Sequence, residues 1–176
     1  MKQPTAQDYL IVDGYNMVGA WPSLRKLAEV DFDAARDQLI DRLADYKGHS
    51  SLRVVVVFDA HFADGIGATY ESSRVEVHFT KSKETADEYI EKFVFSLLAS
   101  NENITVHVAT SDHLQQRIVF GKGAYRMPAL ELERLTTREK VDARKKMKDM
   151  KKRNALSERL NQSVLEKLDR LRKGIE

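Results

Sequence analysis

Arg53-Val54-Val55-Val56-Val57-Phe58-Asp59 is the stretch on which the fold turns. Four consecutive valines are costly on a strand with one face in water and natural in a strand covered on both faces, so the segment reads as the centre of a sandwiched sheet. Upstream, residues 9–12 form a second short apolar run that ends at Asp13-Gly14 and feeds a loop holding Tyr15, Asn16 and Gly19. Between the two runs, Phe32, Ala35, Leu39, Leu43 and Tyr46 recur at helical spacing, with Gly48 placed to stop the helix. Downstream, residues 60–73 carry Gly65, Gly67 and no apolar period, and read as a mobile surface loop. Residues 74–80 alternate as a strand with one wetter face. Thr85 precedes a helix over 86–99. Residues 104–109 form a strand ending in Thr110-Ser111-Asp112, followed by a helix through Leu114, Ile118 and Val119 that stops near Gly121-Lys122-Gly123. Residues 125–127 suit a last short strand, and Pro128 the first turn of a helix through Leu130, Leu132 and Leu135. Strand and helix in alternation imply an α/β/α sandwich with a mostly parallel sheet.

The 176 residues, 42% hydrophobic and 32% charged, supply one ordinary core and too little length for two. Residues 1–135 are expected to form the body, and 136–176 a helical extension packed on it. The formal charge of +2 is an average of unlike parts: residues 1–133 carry 14 Lys and Arg against 20 Asp and Glu, and residues 134–176 carry 15 against 7. A basic segment beside an acidic body points to a polyanionic partner, nucleic acid before an acidic membrane surface. The absence of Cys excludes disulfides, thiolate metal sites and cysteine nucleophiles. No apolar stretch approaches the ~20 residues that span a bilayer, and no apolar leader opens the chain, so a soluble cytoplasmic protein without a membrane partner is expected.

In the extension, Thr136-x-x-Glu139 has the spacing of a capping box, and neither Pro nor Gly follows until Gly174. Arg144, Lys145, Lys146, Lys148, Lys151, Lys152 and Arg153 cluster with Asp149 as the one acid among them, a run suited to phosphate contact. Further along, Leu156, Leu160, Val164, Leu168, Leu171 and Ile175 form an apolar stripe without a sustained heptad, which favours docking within a monomer over a dimer seam.

Three expected strands end in aspartate: Asp13, Asp59 and Asp112. In an open parallel sheet the carboxyl ends of neighbouring strands converge on one edge, where ligands bind. Asp87, in the first turn of the helix after Thr85, can face the same edge. Singly, each has a structural use: Asp13 in a turn, Asp59 at a sheet edge, Asp87 at a helix dipole, Asp112 as a cap. Together they would repel strongly, a cost that a divalent cation removes, and an oxygen-only set favours Mg²⁺ or Mn²⁺ completed by water and substrate phosphate.

These motifs carry a resemblance. Ile11-Val12-Asp13-Gly14-Tyr15-Asn16-Met17 is similar to the NYN-domain signature, and Val57-Phe58-Asp59-Ala60, Thr85-Ala86-Asp87-Glu88-Tyr89-Ile90 and Ala109-Thr110-Ser111-Asp112 follow in that family's order and spacing. Residues 9 to about 170, the basic segment included, resemble the bacterial YacP branch of PIN-like, ribosome-associated endoribonucleases. The resemblance implies a PIN-like three-layer fold, RNA as substrate, messenger RNA on the ribosome in particular, and Asp13, Asp87 and Asp112 as the main acidic site, with Asp59 acting directly or through water. It further implies that Asn16 orients a ligand or phosphate and that Ser111 bonds a carboxylate or phosphate oxygen. Lys81, Lys83 and Lys122 would help RNA approach the negative edge, and Tyr15 would stack on a base, whereas Trp21 beside Pro22 reads as packing. His61 and His113 lie near the strand-end acids and read as solvated loop residues.

Two other strand-end chemistries fit less well. A dehalogenase-type phosphatase needs a second acid two residues after its nucleophile, where this chain has Tyr15, and a receiver domain needs paired acids at its first strand. A non-catalytic RNA- or ribosome-binding module with a vestigial acidic site is the alternative of a different class.

Overall fold

The computed structural model describes residues 8–59, 69–72, 74–100 and 103–137. Its elements run β1 (Tyr9–Asp13), α1 (Gly14–Ala20), α2 (Pro22–Ala28), α3 (Phe32–Lys47), β2 (Arg53–Phe58), β3 (Thr69–Ser72), β4 (Val75–Phe79), α4 (Ala86–Ser100), β5 (Val106–Thr110), α5 (His113–Gly121) and β6 (Tyr125–Pro128), with a further helix over residues 129–137. The sheet order is β3-β4-β2-β1-β5-β6, with five strands parallel and the edge strand β3 antiparallel to β4.

Period-two alternation divides the core between the two sheet faces. Leu10, Val12, Val54, Val56 and Phe58 point to one face and pack with Met17, Val18, Trp21 and Leu24, with Leu39 and Leu43 of α3, and with Leu132. Ile11, Val55, Val57, Val106 and Val108 point to the other face, against Ala86, Ile90 and Val94 of α4 and Val119 of α5. The valine run is therefore buried on both sides, as the sequence requires, and the molecule has the expected three layers. Among the described residues no helix is long and apolar enough to cross a membrane.

Three expectations change. The segment after Asp13 is a helix, not a loop: the Asp13 carboxylate accepts the Asn16 N–H, and Met17 and Val18 anchor the turn in the core. Gly14 opens this helix against the Phe58 ring, so closely that a Cβ there would overlap it. Residues 69–72, within the expected loop, pair with β4 through Thr69↔His78 and Ser72↔Val75, supplying the edge ladder that β4 would otherwise lack. Thr136 opens no new helix: it is buried in the helix that starts at 129, and its hydroxyl donates to the Glu133 carbonyl. The rest of the expected loop and the basic extension beyond Thr137 lie outside the described residues.

Candidate active site

From β1 the chain builds the sheet outward through β2 and β4, and α4 then carries it back across to β5 on the other side of β1. The switch point of the sheet thus falls between β1 and β5, the crevice where such sheets bind ligands at their carboxyl ends. Asp13 is the last residue of β1, and Thr110-Ser111-Asp112 closes β5.

Asn16 spans the crevice. Its Oδ1 accepts the Ser111 N–H at 2.8 Å and the Ser111 hydroxyl, while its own backbone N–H donates to Asp13 Oδ1 at 3.1 Å. Asn16 therefore ties the end of β1, through its backbone N–H, to the end of β5, through its side-chain oxygen. Asp112 caps α5, its Oδ1 accepting from the Leu114 N–H at 2.7 Å and the Gln115 N–H at 3.2 Å. Thr85 plays the same part for α4, accepting the Glu88 N–H at 3.2 Å, which sets Asp87 in the first turn. The capping roles of Asp13 and Asp112 and their membership of an acidic group coexist.

Electrostatics joins these carboxylates. Asp13 is buried, and its pKa is pushed up from 3.8 to about 7 by desolvation first, opposed by the hydrogen bonds from Asn16, and raised again by Asp87 and Asp112. The Asp87 carboxyl is also raised, by its partial burial and then by Asp112, Glu91 and Asp59. All four sequence-selected aspartates thus lie in one field. Among the described residues no three carboxylates close on a single point as a ready-made cation cage. The oxygen-only donors and the raised Asp13 carboxyl do suit a hydrated Mg²⁺ or Mn²⁺, which binds through one or two carboxylates and completes its shell with water and phosphate.

The remaining candidates divide. Lys81 and Lys83 are exposed in the turn between β4 and α4, on the same edge as Asp87; Lys83 holds φ +77 there. Lys122 instead caps the far end of α5, about 15 Å along the helix from Asp112, and its Nζ bonds Glu91 Oε2 at 3.2 Å. Lys122 therefore lies on the flank of the domain, away from the strand ends. The Tyr15 ring packs 5.1 Å from Phe32 and 5.0 Å from Phe58 and belongs to the core, which suits it poorly to stacking on a base. Trp21 packs as expected, its Nε1 donating to the Ala129 carbonyl at 2.8 Å. His113 is exposed at the start of α5. His61 and the basic run Arg144, Lys145, Lys146, Lys148, Lys151, Lys152 and Arg153 lie outside the described residues.

Two residues were missed. Glu91 joins the acidic field one turn beyond Asp87, a relation already visible in their i, i+4 spacing. Gln115 is buried in the first turn of α5, and neither atom of its carboxamide has a hydrogen-bond partner among the described residues. Its only sequence signal is that it shares a helical face with Val119.

A mostly parallel sheet between two helical layers, with an acidic crevice at its switch point, defines an α/β domain with a strand-end acidic site, and the family match makes that domain nuclease-like. The sequence matches the YacP-like NYN domain over residues 10–173, and the chain belongs to that family. It is 44% identical over 168 residues to the YacP protein of Bacillus subtilis (strain 168), covering 95% of this chain and 98% of that one. It is also similar to solved structures of Rae1 (YacP) from Bacillus subtilis. One of these, a mutant form, matches with TM-score 0.73 at 44% identity, covering 86% of this chain and 89% of that one. A second Rae1 structure matches with TM-score 0.73 at 41% identity over 96% of both chains.

Proposed function

We propose that the protein is a metal-dependent endoribonuclease that cuts messenger RNA in association with the ribosome, and that the crevice between β1 and β5 is its active site. The observation that carries this reading is the mutual repulsion of Asp13, Asp87 and Asp112 at the switch point, on a family scaffold that is nuclease-like and RNA-related. Capping accounts for Asp13 and Asp112 one at a time but not for their repulsion with Asp87, which a cation relieves.

Asp13, Asp87 and Asp112 would hold Mg²⁺ or Mn²⁺, with Asp59 helping directly or through water. The ion would supply Lewis-acid chemistry, lowering the pKa of water and neutralising charge at the phosphate. Asn16 keeps Asp13 and Ser111 in register across the crevice, and the Ser111 hydroxyl lies beside Asn16 where it can turn to a phosphate oxygen. Lys81 and Lys83 offset the negative edge as the RNA backbone approaches. Water adds to phosphorus and the 3′ oxygen leaves with a proton, giving 5′-phosphate and 3′-hydroxyl ends. The basic run from Arg144 to Arg153 contacts RNA or ribosome through counterion release. The protein acts as a monomer in the cytoplasm.

The test is cleavage of a messenger RNA with and without translating ribosomes, by wild type and by a variant with the seven basic residues neutralised. Cleavage that depends on ribosomes, and whose salt dependence flattens in the variant, supports the reading. Salt-independent binding removes the basic run from it, and binding without cleavage under every condition favours a non-catalytic module.

A further inference from the structure

On the flank beside the acidic crevice, α4 and the far end of α5 border an open cavity of about 390 Å³ lined by Glu88, Glu91, Lys92, Phe95 and Lys122. It starts where the acidic site ends. Glu88 follows Asp87 directly, Glu91 stands one turn on, and Phe95 two turns on, about 12 Å along the helix axis.

Phe95 is 65% exposed, and α4 is anchored in the core by Ile90 and Val94, with Leu97 and Leu98 packed against it, not by this ring. A large apolar ring kept in water at a cavity wall, with no part in the core, is a candidate contact surface. Its surroundings narrow the choice of ligand. Lys122 Nζ holds Glu91 Oε2 at 3.2 Å, setting an ammonium beside a carboxylate in the cavity wall, and Lys92, also in that wall, bonds Glu84 Oε1 at 2.9 Å. A flat apolar face, carboxylates that accept from base-edge N–H groups and ammonium groups that meet phosphate are the elements of a nucleotide site on single-stranded RNA. A protein partner would also cover an exposed Phe, but the continuity of this wall with Asp87 and its alternating charges favour the RNA.

The geometry points to a nucleobase subsite at Phe95, which receives an unpaired base of the RNA a short distance from the scissile phosphate. Phe95 stacks on the base, Glu88 and Glu91 face its donor edge, and Lys122 meets the adjoining phosphate. The subsite rests on the reading of the crevice as an RNA-cleaving site, and it extends that reading from the cut to the strand beside it.

The test uses the full chain and short single-stranded RNAs carrying 2-aminopurine at successive positions around the cut. Binding to the Asp13→Asn protein should quench the fluorophore at one position through stacking, and adding Phe95→Ala should abolish that quench. In otherwise wild-type protein, Phe95→Ala should raise KM about 10-fold with an unchanged unfolding temperature, and Phe95→Trp should restore KM. If wild type cleaves and Phe95→Ala changes neither KM nor quenching at any position, the subsite is overturned, and the ring serves a protein partner or none. If wild type cleaves no RNA, the nuclease reading fails on its own. Quenching that depends on residue 95 would then still support the subsite, and its absence would overturn it.

Discussion

Replacing Asp13 by Asn should make the metal-free protein more stable at pH 8. In the fold the Asp13 carboxyl is pushed from 3.8 to about 7, chiefly by desolvation. At 1.36 kcal/mol per unit, holding it ionised in these surroundings costs up to about 4 kcal/mol. Asn has the same shape and can still accept the Asn16 N–H, but through a neutral oxygen, which forfeits about 1 kcal/mol of charge-assisted hydrogen bonding. A net gain of about 3 kcal/mol remains, which corresponds to ~6–12 °C in unfolding temperature. The pH dependence has a definite sign. Above pH 3.8 the unfolded chain has lost this proton while the folded chain keeps it to about 7, so the folded state binds more protons across that window. The contribution of Asp13 is therefore fully present below pH 3.8 and lost as pH rises through 7, by up to about 1.4 kcal/mol per unit. Urea unfolding of both proteins in chelator from pH 5 to 8 reads this directly: wild type should weaken with pH relative to the variant, and the gap should be widest at pH 8. An Asn variant less stable than wild type at pH 8, or two parallel pH profiles, would refute the reasoning.

Three further perturbations follow from particular contacts. Gly14→Ala drives a Cβ into the Phe58 ring, which is fully buried and cannot yield, so the urea midpoint should fall by the equivalent of about 1–3 kcal/mol with little change in m. Asn16→Ala strips the Ser111 N–H and hydroxyl of their acceptor and unties β5 from β1; stability should drop by about 1–2 kcal/mol, the Ser111 amide should exchange faster, and RNA cleavage should fall ~10–100-fold. Gln115→Met replaces a buried amide that lacks partners among the described residues by an apolar chain of similar length, and a gain of about 1–3 kcal/mol in chemical denaturation is expected.

The contrast between α1 and the valine run shows what was legible in the sequence. Val54–Val57 announce burial on both faces because no other environment suits four β-branched residues in succession, and the structure splits them between two helical layers. Asp13-Gly14-Tyr15-Asn16 has the composition of a turn, so local propensity argues for a loop. The helix forms because Asp13 caps it and because Met17, Val18 and Trp21 fill space above the sheet, a tertiary gain absent from any local window. For the same reason Tyr15 looked available for stacking, although the aromatic packing of Phe32 and Phe58 claims it. β3 escaped notice because its four residues include no aliphatic side chain and owe their form to the β4 ladder. The aspartates were readable because strand ends and parallel topology place them at one edge. Their unequal burial, which singles out Asp13, depends on the packing of Asn16 and α1 around it.

If the crevice between β1 and β5 cleaves RNA through its carboxylates, the ends of the cut strands carry the record. The most direct measurement is the end-group analysis of messenger RNA incubated with wild type and with Asp13→Asn, with Mg²⁺ or Mn²⁺ and with excess chelator, and with translating ribosomes present. Wild type with metal should give 5′-phosphate and 3′-hydroxyl ends, with no cleavage in chelator or by the folded variant. A 2′,3′-cyclic phosphate product, undiminished cutting in chelator, or full activity of Asp13→Asn would contradict it.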